Sequence, residues 1–131
     1  MSVYKVTVPC EPMGAPRMTQ SDKWKKRDCV VRYRAFKDEI RLAVKSQMPE
    51  INASDVQSLS WTAYFSPPQS WSKKRRAAAM GMLHRSKPDR DNVDKGVLDA
   101  MFAEDSGIAS GYLAKRWGEP ARLEITVEVV K

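Results

Sequence analysis

Between residues 121 and 130, Leu123, Ile125, Val127 and Val129 alternate strictly with Arg122, Glu124, Thr126 and Glu128. A period of two means a β-strand with one apolar and one polar face. Such a strand cannot stand alone. It needs neighbouring strands to take up its backbone polar groups and a second layer to cover its apolar side. The rest of the chain must supply both. Residues 3–10 repeat the pattern, with Tyr4, Val6, Val8 and Cys10 opposed to Val3, Lys5 and Thr7. Residues 57–66 place Leu59, Trp61, Ala63 and Phe65 inward, and Pro67-Pro68 ends that run. Residues 108–117 read as a further strand, forming a hairpin with 121–130 across Gly118-Glu119-Pro120.

The cover comes from helical periodicity. Asp28 is placed to cap a helix that runs to about Gln47, with Phe36, Ile40, Ala43 and Val44 as its apolar stripe and Pro49 as its stop. Ser70 is a candidate N-cap for a short basic helix through about Met80. Pro88 disfavours helix at Lys87, so residues 84–88 form a connector. A third helix spans about Asn92 to Ala103, with Val93, Val97, Leu98, Met101 and Phe102 on its apolar side. The expected order is β-α-β-α-α-β-β in one domain over residues 1–131. The expected fold class is α+β, a small mixed sheet with flanking helices.

Composition excludes several classes. At 42% hydrophobic and 30% charged the chain is globular. Its apolar runs are as short as Ala77-Ala78-Ala79-Met80, so no membrane span is expected. MSVYKVTVPC lacks the basic start and apolar block of a secretory signal, which predicts a cytoplasmic location. Cys10 and Cys29 form no CxxC, and the single histidine, His84, rules out HExxH zinc chemistry. No GxxxxGK[ST], GxGxxG or GxSxG is present, so P-loop, Rossmann and serine-hydrolase chemistry have no footing, and no small-molecule cofactor is expected.

The net charge of +7 is uneven. Asp89 to Asp105 holds six acids and two bases, a net of −4, so the other 114 residues carry +11. Arg17 to Lys45 has ten bases against four acids, and Lys73-Lys74-Arg75-Arg76 are consecutive. A basic field attracts polyanions, nucleic acid above all. An acidic island inside it would repel them unless a divalent cation sat there.

Within HRSKPDRDNVDK (84–95), Asp89 and Asp91 lie two residues apart before a helix. In an extended or turning backbone they point to one side and can share a hard cation such as Mg²⁺ or Mn²⁺. Lys95, one turn beyond Asp91, can hold the carboxylate or stabilise charge developing on a phosphate. A plainer reading is also open: an aspartate cap and an Asp91–Lys95 pair worth about 0.2–0.5 kcal/mol. Asp94 is expected to face solvent, and Asp99 to be a structural partner.

The string KPDRDNVDKGVLDAM (87–101), followed by AEDSGIA (103–109), resembles the RusA-type Holliday-junction endonucleases. Pro16-Arg17 after the first strand, His84 before the motif and Lys115 after it also fit that family. The resemblance implies that Asp89, Asp91 and Asp105 hold Mg²⁺, that Lys95 is catalytic, and that a homodimer cuts four-way DNA junctions by paired nicks. Glu104 stands where the family usually has aspartate and retains a carboxylate for the metal. Asp91 and Asp105 are 14 residues apart, about 21 Å along a helix. They share a metal only if the helix ends early and the chain returns, or if two subunits contribute.

The expected DNA contacts are Arg17, Lys23, Lys25, Lys26 and Arg27 around Trp24, then Lys73, Lys74, Arg75 and Arg76 after Trp71, together with Lys87 and Lys115. Basic residues interleaved with aromatics suit backbone tracking and base stacking. Trp61 is read as core, and Met13 and Met18 as candidate wedges at a branch point. Two other functions remain open: a DNA-binding protein that does not cut, and a nuclease preferring other branched DNA.

Overall fold

The computed structural model describes residues 1–16 and 28–130. The elements are β1 (Ser2–Val8), α1 (Asp28–Gln47), β2 (Val56–Phe65), α2 (Lys73–Ala79), α3 (Arg90–Met101), β3 (Leu113–Trp117) and β4 (Arg122–Val129), with a short 3₁₀ turn over Ala53–Asp55. Their order matches the expected one, and the class is α+β with a mixed four-stranded sheet.

The sheet order is β1-β4-β2-β3. β4 runs antiparallel to both β1 and β2, and β2 is parallel to β3. The expected hairpin therefore does not form, because β2 lies between β3 and β4. The Gly118–Pro120 link crosses the end of β2 instead of folding β4 back onto β3. Gly118 N–H donates to Phe65 O at 3.0 Å, and a Cβ on Gly118 would sit 2.6 Å from the Tyr64 ring. Only glycine passes there. β2 is the longest strand and is buried along its whole apolar face, so it takes a partner on each side.

α1 packs on β1 and on α3. Its stripe is Val30, Tyr33, Phe36, Ile40 and Ala43. α3 adds Val93, Val97 and Ala100, and the sheet supplies Val6, Val8, Leu59, Trp61, Ala63, Phe65, Leu123, Ile125 and Val127 to the same core. Trp61 is 1% exposed, as its place in the alternation predicted. The opposite sheet face carries the polar half of β4. No described helix is long and apolar enough to cross a membrane.

α2 starts two residues later than expected, because Ser72 rather than Ser70 caps it and accepts from Arg75 N–H at 3.1 Å. Both cysteines are free thiols, and burial, with Glu39 and Glu11 nearby, pushes the Cys10 thiol up to about 12.

Candidate active site

The chain reaches the start of α3 through a connector held in place from several sides. His84 N–H donates to Lys115 O, and Leu83 bridges Arg116, so residues 83–84 lie along the outer edge of β3. Lys115 Nζ donates to Ser86 O at 2.7 Å and Pro88 O at 2.5 Å. From the other side, Ala15 N–H donates to Asn92 O at 2.9 Å. Gly14 lies so close that a Cβ there would be 2.8 Å from Pro88 Cβ and 3.1 Å from Asn92 Cβ. Residues 14 and 15 therefore lie directly against the acidic motif.

Asp89 occupies the N-cap position of α3, but its side chain makes no capping hydrogen bond. The cap reading thus fails for this carboxylate. It faces solvent, with Lys87 Nζ 3.1 Å from each of its oxygens. Asp91, in the first turn, is exposed, and its Oδ1 accepts from the next residue's N–H at 3.1 Å. Lys95 is exposed and forms no ion pair with any described residue, so the Asp91–Lys95 pair is absent.

The other two aspartates of α3 are engaged in the fold. Asp94 does not face solvent as expected: its Oδ1 accepts from Trp61 Nε1 at 2.8 Å. An indole N–H on an otherwise buried ring needs an acceptor, and Asp94 lies over that strand. Asp99 accepts from Tyr33 Oη at 3.1 Å, a structural partner as expected. Burial raises the Tyr33 phenol above its ordinary value, with Asp99 adding to the effect.

The second half of the expected metal set lies elsewhere. α3 runs for 12 residues, about 18 Å, and the chain passes Phe102 before reaching Glu104 and Asp105. Glu104 Oε1 accepts from Ser106 N–H at 3.0 Å, which holds its carboxyl below the usual range. Asp105 O accepts from Ile108 N–H, closing the turn. The chain does return along β2 toward the start of α3, but the residue it delivers there is Lys115. Among the described residues, no group of three or more His, Cys, Asp or Glu side chains is placed to hold a metal ion. Asp89 and Asp91 fit a hard cation in donor chemistry and exposure, and the Lys87 ammonium astride Asp89 shows that position attracting positive charge. One chain alone does not gather all the carboxylates.

The basic surface divides in the same way. Lys73, Lys74 and Arg75 are exposed on α2, with Arg75 stacked 3.8 Å over the half-buried Trp71. Arg76 is tied down, at 2.5 Å from Glu119 and 3.0 Å from Pro68 O. Lys115 is half-buried and bound to carbonyls, which leaves little of its amine for DNA. Met13 packs against the core rather than standing free as a wedge. Arg17, Met18, Lys23, Trp24, Lys25, Lys26 and Arg27 lie outside the described residues.

His84, which the sequence offered only as a residue fitting the family, lies beside the site. It is 6% exposed, its ring stacked 4.1 Å from Phe65 and tilted against Trp117 at 4.3 Å, and its Nδ1 has no partner among the described residues. Trp117 in turn meets Trp71 at 5.0 Å, so an aromatic series joins the basic helix to the connector.

Residues 9–128 match the family described as endodeoxyribonuclease RusA. The chain belongs to that family. It is also 31% identical over 141 residues to a Bacillus subtilis (strain 168) protein named "Uncharacterized protein YqaN", an alignment covering 99% of each chain. RusA proteins are endodeoxyribonucleases, so membership assigns phosphodiester hydrolysis of DNA as the chemistry for which the α3 terminus is to be judged. The exposed carboxylates of Asp89 and Asp91 suit it, as does Lys95, which is exposed and has no ion pair among the described residues. The RusA match spans β2, β3 and all but the last residue of β4, whereas β1 lies ahead of it.

Proposed function

We propose that this RusA protein is a Mg²⁺-dependent endodeoxyribonuclease that resolves four-way DNA junctions by paired hydrolysis, acting as a homodimer. The observation that carries the reading is the division among the aspartates of one motif. Asp94 and Asp99 accept from the buried Trp61 and Tyr33 side chains, whereas Asp89 and Asp91 stand exposed at a helix start, and the Asp89 side chain makes no cap bond. Carboxylates whose partners there are an exposed lysine and a single local amide suit a hard cation. Mg²⁺ bound by them would polarise the scissile phosphate and the attacking water; Mn²⁺ has the same preference for oxygen ligands.

The chain's own groups take the remaining roles. Lys95, exposed in the middle of α3 and without an ion pair among the described residues, offers its ammonium to charge building on the phosphate. Lys73, Lys74 and Arg75 grip the backbone from α2, and Lys87 adds a further cation. Asp105, at the far end of α3, completes the set from a partner protomer. A twofold pairing with the two α3 helices antiparallel supports this, since it sets the end of one helix against the start of the other. Glu104 would stand beside it there.

The test is cleavage of a synthetic mobile four-way junction with and without Mg²⁺, with Asp91→Asn as control. Mixing Asp91→Asn with Asp105→Asn subunits should restore cutting that neither variant shows alone, because a mixed dimer keeps one intact composite site. No restoration would sink the shared site. Binding without cleavage in either metal would replace a nuclease with a DNA-binding protein, and faster cutting of flaps or forks would change the substrate.

A further inference from the structure

We infer that Lys115 is a positioning residue for the nuclease site, acting through the backbone of the Ser86–Asp89 segment rather than through DNA. This rests on the proposed nuclease reading. Strand register sets the location: Lys115 pairs with Ala63 in the middle of β3 and shares its face with Leu113 and Trp117. That face turns toward the helices, so the side chain reaches in toward the connector instead of out to solvent. Its amine donates to two carbonyls two residues apart, Ser86 O and Pro88 O, at 2.7 and 2.5 Å.

Those carbonyls flank Lys87 and stand just before Asp89. A charged donor bridging two carbonyls fixes the peptide planes between them, and so fixes where the next side chain departs. The clamp is anchored at its own base, since His84 N–H donates to Lys115 O. A single residue therefore ties the connector at both ends, through its carbonyl at residue 84 and through its ammonium at residues 86 and 88. Burial lowers the Lys115 amine from its ordinary value, while Asp89 pulls the other way, which places the ammonium within the field of the candidate metal ligand.

The clamp matters because it restrains the backbone on the N-terminal side of Asp89: the Asp89 carbonyl is held from the helix side by Asn92 and Val93 N–H, but its side chain makes no cap bond and, among the described residues, meets only the exposed Lys87. Small misplacements of a ligand or reacting group cost rate steeply. Removing the clamp should thus loosen Asp89 while leaving the exposed basic surface intact.

Lys115→Met keeps the aliphatic stem and removes the donor, and Lys115→Arg keeps a charged donor. Lys115→Met is expected to slow single-turnover junction cleavage by about 10–100-fold, the range of a disturbed metal-supporting contact. It should raise the Mg²⁺ concentration for half-maximal rate and leave metal-free junction affinity within about twofold. Lys115→Arg should recover part of the loss. Affinity falling in step with rate, at unchanged Mg²⁺ dependence, would make Lys115 a DNA contact and overturn the inference. Amide exchange of the metal-free protein separates this from failure of the nuclease reading. Faster exchange over residues 86–90 in Lys115→Met supports the clamp even if the wild type cuts nothing, and unchanged exchange there rejects it. If Lys115→Met does not fold, Lys115→Gln is read against the same outcomes.

Discussion

The two carboxylates at the start of α3 and the two further along it differ in what they touch, although all four fall within eleven residues. Asp94 meets an indole at 2.8 Å and Asp99 a phenol at 3.1 Å, each from a neighbouring element whose polar atom needed an acceptor. Asp89 and Asp91 meet no buried donor. Charge counting treats the four alike within an island of six acids and two bases. The hydrogen-bond partners divide the island into a part that holds the fold and a part free for chemistry.

Substitutions should separate these halves, beginning with the largest effect. Asp89→Asn and Asp91→Asn are expected to lower junction cleavage by about 100-fold or more, as loss of a metal ligand removes several kcal/mol of transition-state stabilisation. Junction affinity should hold or rise, because negative charge near the phosphates is removed, and the melting temperature should barely move. A parallel loss of cleavage and stability would merge the two halves and break the comparison. Asp94→Ala should do the reverse: it strands the Trp61 N–H in the core and costs about 1–3 kcal/mol in urea unfolding, while the cleavage rate per folded molecule stays near wild type. Tyr33→Phe is the mildest of the set, about 0.5–1.5 kcal/mol, since its partner Asp99 is exposed and water can replace the hydroxyl.

A pH series sharpens the same contrast at the connector. Burial, joined by the charge of Lys115, holds the His84 imidazole below its ordinary value of 6.5. The unfolded chain then takes up a proton before the folded one, so stability present above about 6.5 is lost as pH falls through the lowered value. The urea midpoint should drop on acidification, and His84→Phe, which keeps an aromatic ring in the stack, should flatten that limb. An acid limb unchanged by His84→Phe would show that the imidazole is not what titrates.

The local elements were legible because periodicity is a local signal. α1, from Asp28 to Gln47, fell where its stripe and breaker placed it, and the alternation of β1, β2 and β4 gave their inward faces. The neighbour of β4 was not legible. A short Gly-Glu-Pro link looks like a hairpin turn, and only the space taken up by β2 decides that the chain crosses it instead. Asp94 was misplaced for a related reason: three residues beyond Asp91 on a helix, nothing local shows that Trp61 lies opposite. Lys115 carries a readable sign of its place. It sits between Leu113 and Trp117 on the inward side of a strand, and a lysine there needs internal acceptors. Lys115 was expected among the DNA contacts, whereas strand alternation points it inward.

The place of β4 bears on how the protein is made. It is the last of the described strands in the chain, yet it lies between β1 and β2 and pairs with both along nearly its full length. While the ribosome is still adding residues before 122, β1 and β2 have no shared neighbour and the core has no floor. Pairing across such sequence separations is slow to nucleate. The scaffold beneath Asp89 and Asp91 therefore closes only after nearly all of the domain has been translated, so the nascent polypeptide carries the acidic motif long before it has a fold able to aim it.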